Sequence, residues 1–369
     1  MRLLHINSYF STSGLFSQLY DRQVENGHQI QVYVPISHQY PQEKIAAKGS
    51  YTKISRCFHQ IERYVFPLKH NKIWKDLETN YHFKDLDLVH AHSLFSNGWL
   101  ARQIYLKYNI PYIVAIRNAD VRTFFERAPW LRKIGLNVMR DAQRIIFISQ
   151  NAYNEVYNKY VPPKEYASLN EKTQVIANGI EDFWHENQYT NKLPEVHRPL
   201  KLVSAGKLTS GKRFVELANM LEEYARIYGP VELHIAGPSW DAKIETQLKK
   251  YSHVHYHGPL SKEAMRNLYR KMDIFILLSY PETFGLVYPE AMSQALPVIY
   301  TRGEGFDSFF KNYQVGVSVD RFNQIALNKA IQYIFKYYPQ ISKNALQGIS
   351  YFKWDRIVKE YEEIYQTVL

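Results

Sequence analysis

The chain has 369 residues, 46% of them hydrophobic and 15% aromatic. That is long enough for two domains with separate cores and too apolar for a disordered polymer. Its 46 Lys and Arg against 35 Asp and Glu leave a net charge of +11, and residues 1–175 hold 23 of the cations against 14 acids. Such asymmetry points to an anionic partner for the first half (nucleic acid, anionic lipid or a phosphorylated substrate) or to a basic surface that merely keeps the chain soluble. Apolar runs fall far short of the roughly 20 residues of a membrane span. The N-terminus turns polar too early for a signal peptide. Together with the single Cys57, which excludes an internal disulfide, this predicts a cytoplasmic protein.

In chain order, β-rich runs fall at 3–7, 30–36, 88–93, 112–117, 144–149 and 174–178, with helical patterns between them. Between the first two, Leu15, Phe16, Leu19, Tyr20 and Val24 keep helical spacing and Gly27 supplies a C-terminal cap. A polar stretch at 185–199 reads as a linker. The pattern then restarts with strands at 201–206, 231–237, 254–258, 273–279, 297–301 and 315–319, and a helix at 214–229. Strands alternating with helices mean parallel sheets covered on both faces. The expected fold class is α/β: two doubly wound, Rossmann-like domains at 1–180 and 181–350 that face each other across a cleft. A final amphipathic helix at 351–369 carries Trp354, Ile357, Tyr361 and Ile364 on one stripe and is expected to pack back towards the first domain.

Three segments carry chemistry. The first, PETFGLVYPEAM from Pro281, follows a buried strand and opens a helix expected over 286–295, so Glu282 and Glu290 are expected near a helix N-terminus with the amides of Phe284, Gly285 and Leu286. That end favours an anion, and Gly285 would let the backbone approach it. The ordinary reading is that two acids cap a helix and touch only water. The second, SAGKLTSGKRF at 204–214, sets Lys207 and Lys212 between a strand and a helix, where they would neutralise a diphosphate; two loop lysines are otherwise usually just solvated. The third, LVHAHSLFSNGWLA at 88–101, ends a strand at His92, while His90 suits a structural hydrogen bond.

Glu-x7-Glu with Phe-Gly-Leu after the first Glu, then Glu-Ala-Met-x-x-Ala-Leu-Pro-Val, resembles the signature of the retaining glycosyltransferases of family 4, which have the GT-B fold and include bacterial surface-polysaccharide enzymes. The resemblance implies that Glu282 lies against the donor sugar, that Glu290 holds the ribose hydroxyls, and that Lys207 and Lys212 sit beneath one diphosphate. The 204–214 segment is similar to Gly-Arg-Leu-x-x-x-Lys-Gly, with Lys207 in place of Arg and Arg213 in place of Gly. VIANGI at 175–180 and the segments 234–241 and 255–265 are similar to further family marks, and place Gly258, Pro259 and Leu260 at the nucleobase. His92 would face the donor sugar, and Gly14 would line the cleft opposite the phosphates. AIRNADVRTFF departs from the usual His-Gly-x-Asp and puts Arg117 and Asp120 on the acceptor side, with a salt bridge inside the loop as the plain alternative. TRGEGFDSFF departs from Gly-Gly-x-x-Glu, which leaves sugar specificity open.

The function expected on this resemblance is metal-independent, retaining transfer from a nucleotide sugar, a UDP-sugar, to a saccharide or lipid-linked saccharide in bacterial polysaccharide synthesis. No metal or other cofactor is expected, for want of an Asp-x-Asp motif or a His/Cys cluster with ligand spacing. Basic residues mixed with Phe124, Phe125, Trp130 and Leu131, and again between Lys44 and Lys75, suggest a face that lies on an anionic membrane. No nucleic-acid module is visible. A nucleotide-sugar epimerase of the same fold, or a non-catalytic glycan-binding partner, are the alternatives.

Overall fold

The computed structural model describes residues 1–193 and 195–369 and divides the chain into two compact units. The first comprises Met1–Ala177 and Trp354–Leu369, and the second Asn178–Lys353.

The first unit is a parallel sheet of β1 (Arg2–Ile6), β2 (Gln29–Ser37), β3 (Thr52–Phe58), β4 (Leu88–Ala91), β5 (Tyr112–Ile116), β6 (Arg144–Phe147) and β7 (Thr173–Val175), ordered β3-β2-β1-β4-β5-β6-β7. β4 and β5 are buried along their whole length, as continuous apolar strands covered on both faces should be. β3 was not expected from the sequence: Lys53, Ser55 and Arg56 interrupt its apolar residues, which suits an outermost strand. The closing helix Trp354–Val368 packs on this unit. Its stripe of Trp354, Ile357, Tyr361 and Ile364 is buried in one core with Leu3, Leu19, Ile30 and Ile113.

The second unit repeats the design with β8 (Leu200–Ala205), β9 (Val231–Ala236), β10 (Val254–Tyr256), β11 (Ile274–Leu277), β12 (Val298–Thr301) and β13 (Gly316–Val319), all parallel and ordered β10-β9-β8-β11-β12-β13. The stretch read as a linker is not free. Tyr189 N–H donates to Ser293 O at 3.0 Å, His197 and Lys201 bond the buried Asp273, and the unit begins earlier, at Asn178. Polar composition there reflects side chains that anchor a surface segment.

In both sheets the strand order reverses once, between β1 and β4 in the first unit and between β8 and β11 in the second. Loops leaving the carboxyl ends on either side of a reversal diverge, and the crevice they leave is where such sheets take ligands.

Candidate active site

The reversal in the second unit gathers the two strongest sequence motifs. After β8, Gly206 leads into a single turn, Ser210–Lys212, and a helix over Phe214–Tyr228. After β11 comes the segment from Ser279 to the helix Val287–Met292. Lys212 Nζ donates to Glu282 Oε2 at 2.6 Å, and Ser279 Oγ donates to the same oxygen at 2.7 Å. Both partners are largely shielded, with side-chain exposures of 24% for Lys212 and 10% for Glu282. The Glu282 N–H in turn donates to Glu304 Oε2 at 2.6 Å, and Gly305 N–H donates to Glu282 O at 3.0 Å. Charge-assisted bonds of this kind fix the carboxylate while leaving the ammonium two further donors.

Backbone sterics lock these loops. A Cβ on Gly305 would lie 2.0 Å from Thr283 O, and one on Gly237, after β9, 2.0 Å from Gly206 O. Neither position admits a side chain. Arg213, which stands in place of the Gly of the motif that this segment resembles, adopts a left-handed φ of +57°. Its guanidinium stacks on Phe322, 4.4 Å from the ring centroid. An L-residue at such an angle is strained by about 1–2 kcal/mol, which is the physical sense of the usual Gly.

Two expectations need correction here. The helix forecast for 286–295 ends at Met292, where Ala295 turns left-handed at φ +58° and Leu296 N–H closes the turn on Ala291 O. So short a helix carries little macrodipole, and the fixed positive charge is that of Lys212. Lys207 does not join Lys212: it is exposed and lies over Trp240, 3.9 Å from the ring centroid, on the β9 side of the unit. The Phe284 ring is buried against Phe309 and Phe352, which anchors the loop whose amides the sequence singled out. Gly285, at φ +81°, and half-buried Leu286 complete that loop, while Gly258 accepts from Gly237 N–H at 2.8 Å and leads to exposed Pro259 and half-buried Leu260.

Glu290 is half-buried on the short helix. Desolvation, reinforced by Glu181 and partly opposed by Lys262, pushes its carboxyl up to about 8. At neutral pH it is mostly protonated and can both donate and accept a hydrogen bond.

The reversal in the first unit looks different. His92 was expected to face a sugar, yet its ring is completely buried. Its Nε2 lies 3.0 Å from His5 Nδ1 and 3.3 Å from Tyr20 Oη, and its ring stacks on His90 at 4.1 Å. Burial, the neighbouring imidazoles and Arg117 hold His92 well below the usual histidine range. His90 meets Tyr365 Oη at 2.8 Å, a structural bond as expected. Asp120 is likewise turned inward: Oδ1 accepts from Phe95 N–H at 3.0 Å and Oδ2 from Arg117 N–H at 2.8 Å. It therefore latches the strand-end loop through backbone amides instead of presenting a carboxylate to an acceptor. Arg117 is buried, donates through Nε to His92 O at 3.3 Å and lies over the Phe16 ring. Gly14 is exposed in the loop after β1, which Asn7 caps by accepting from Tyr9 and Phe10 N–H.

The expectation of no Asp-x-Asp overlooks Asp85-Leu86-Asp87. That pair stands at the amino end of β4 and is bound to Arg2, so it is not placed at the strand-end site. Ser279, Glu304 and Trp240 were missed. Glu304 shows in the sequence only as an irregularity in 301–310, and its link to the Glu282 amide arises from folding alone.

Two family models match this chain, "Glycosyltransferase Family 4" over residues 16–182 and "Glycosyl transferases group 1" over residues 186–346. The chain belongs to glycosyltransferase family 4. It is 22% identical over 307 residues to a D-inositol 3-phosphate glycosyltransferase of Salinispora tropica, covering 76% of this chain and 63% of that protein. It is 23% identical over 235 residues to the putative teichuronic acid biosynthesis glycosyltransferase TuaC of Bacillus subtilis, covering 62% of this chain and 56% of that one. Among solved structures, Anabaena Alr3699/HepE in complex with UDP and glucose superimposes with a TM-score of 0.69 at 16% identity, covering 100% of both chains. The fold is GT-B.

Proposed function

We propose that this glycosyltransferase moves a hexosyl group from a UDP-sugar to a hydroxyl of a saccharide or lipid-linked saccharide, with retention at the anomeric carbon and without a metal. The observation that carries the reading is the shielded Lys212–Glu282 pair at the strand reversal of the second unit. A carboxylate that meets sugar hydroxyls and an ammonium that meets a diphosphate are the two groups donor chemistry requires, and they are preorganised against each other. The UDP and glucose named for the Anabaena structure support the choice of donor, and the teichuronic acid of the Bacillus relative's name supports a polysaccharide setting.

In the proposed reaction the bond from the anomeric carbon to the diphosphate breaks as the acceptor oxygen bonds on the same face, and the acceptor's proton passes to the departing phosphate oxygen. Lys212 balances the charge that grows there. Protonated Glu290 would bridge the ribose hydroxyls, and Lys207, held on Trp240, would contribute long-range charge only. The buried His92 acts by positioning Arg117 through its carbonyl, and Arg117 faces an anionic group of the acceptor.

The basic first unit is proposed to rest on anionic lipid through Ile61, Tyr64, Val65 and Leu68, which are 46–83% exposed beside Arg63 and Lys75. The second expected patch shrinks to Trp130, since Phe125 and Leu131 are core. No helix among the described residues is long and apolar enough to cross a membrane.

The test is to incubate the chain with a panel of UDP-sugars and excess chelator and follow the anomeric signals of released or transferred sugar by proton NMR. The reading predicts an axial product from an axial donor, at a rate the chelator does not change. An inverted product, or a reaction abolished by chelation, would refute it.

A further inference from the structure

We propose that the outer edge of the second sheet carries a binding site for one divalent transition-metal ion of the zinc class, formed by Glu232, His234 and His255 and oriented by His257. This site shares no residue with the donor site.

The strand register creates it. β10 is the outermost strand and pairs with β9 so that His255 stands directly opposite His234. Side chains two apart on a strand share a face, which sets Glu232 with His234 and His257 with His255. One carboxylate oxygen and two imidazole nitrogens, from Glu232, His234 and His255, lie within 4.8 Å of one another. Ligands held about 2.0–2.1 Å from a tetrahedral zinc ion stand roughly 3.3 Å apart, so a modest rotation closes the cluster. His255 is exposed and free to make it.

The surrounding bonds favour a cation at that point. His234 Nε2 is 3.4 Å from Glu232 Oε2, while its Nδ1 lies 3.0 Å from His257 Nε2. With Nδ1 donating to His257, the Nε2 lone pair points at a carboxylate, an arrangement that a metal ion between them satisfies. A ligating histidine whose other nitrogen is anchored to a neighbour is the usual supporting arrangement of metal sites. Imidazole and carboxylate together suit zinc, and three protein ligands leave a position for water. An ion there would tie the edge strand to β9. The alternative cluster of His5, His90 and His92 is also compact but is fully buried and brings no acid to balance the charge.

The test uses the full chain freed of metal by chelation. Zinc is titrated calorimetrically, and cobalt is titrated with the visible ligand-field band as the readout. One ion per chain is expected. Affinity should fall at least about 10-fold in His255→Ala and in Glu232→Gln, and about 10-fold in His257→Gln. His255 is exposed, so its replacement spares the fold, and far-ultraviolet circular dichroism checks this for each variant. Absence of saturable binding, or stoichiometry and affinity unchanged in both His255→Ala and Glu232→Gln, would overturn the proposal, the latter by showing that the ion is held elsewhere. Neither outcome bears on the donor site, whose activity is measured separately.

Discussion

The two units share a strand order around their reversals but fill them with opposite chemistry. In the first, three neutral imidazoles, a tyrosine and an inward-facing aspartate are sealed from water. In the second, an ammonium and a carboxylate are bonded to each other, and a second acid is held largely protonated. The same topology thus supports a sealed cluster of neutral imidazoles beside Arg117 and Asp120 in one unit and a bonded ammonium–carboxylate pair in the other. Fold alone does not assign chemistry; the side chains at the strand ends do.

The largest difference should appear on replacing Lys212 by Ala. Turnover with a UDP-sugar should fall by about 10²–10³, or on the order of 3 kcal/mol, as when a preorganised electrostatic donor is lost. A variant within a factor of two of the parent would show that the second unit's charge is not catalytic. A comparable effect on stability, confined to the second unit, is expected for Gly237→Ala, whose Cβ would meet Gly206 O at 2.0 Å. Unfolding followed by hydrogen exchange should show the second unit weakened by about 2–3 kcal/mol and the first unchanged.

pH should act in opposite directions on the buried histidines of the first unit and on Glu290 of the second. His5, with a folded value of about 3, and His90 and His92, held well below the ordinary value, stay neutral when folded but take up protons when unfolded. The first unit should therefore lose stability as pH falls below about 6.5, and His92→Gln should blunt that loss. Glu290 runs the other way. Its folded value of about 8 lies above the unfolded value of 4.5, so its burial weighs against folding progressively as pH rises between the two. Glu290→Gln should raise the melting temperature of the second unit by a few degrees near pH 8.5 and hardly at all near about pH 5. An equal shift at both would place the ionised form in the fold.

Much of this was legible in the sequence. Buried parallel strands are nearly continuous apolar runs, so β4, β5, β8, β11 and β12 are found within a residue or two of the forecast, and the Lys212–Glu282 bond joins two segments that the sequence singles out. What was hidden depends on packing. β3 alternates too irregularly to announce itself. The direction of a strand-end side chain follows from what fills the crevice, so His92 and Asp120 read as functional from position yet turn inward. Lys207 and Lys212 are close in sequence, but one lies over Trp240 and the other bonds Glu282. The histidines of β9 and β10 meet only through register, which no linear spacing reveals.

Calorimetric titration of UDP into the parent chain and into Lys212→Ala probes the proposed contact between Lys212 and the donor's diphosphate at the reversal between β8 and β11. Saturable binding to the parent is expected, weakened at least about 10-fold by the substitution, as for loss of a charged hydrogen bond of about 1.4 kcal/mol or more. Equal affinity in the two chains would rule that contact out.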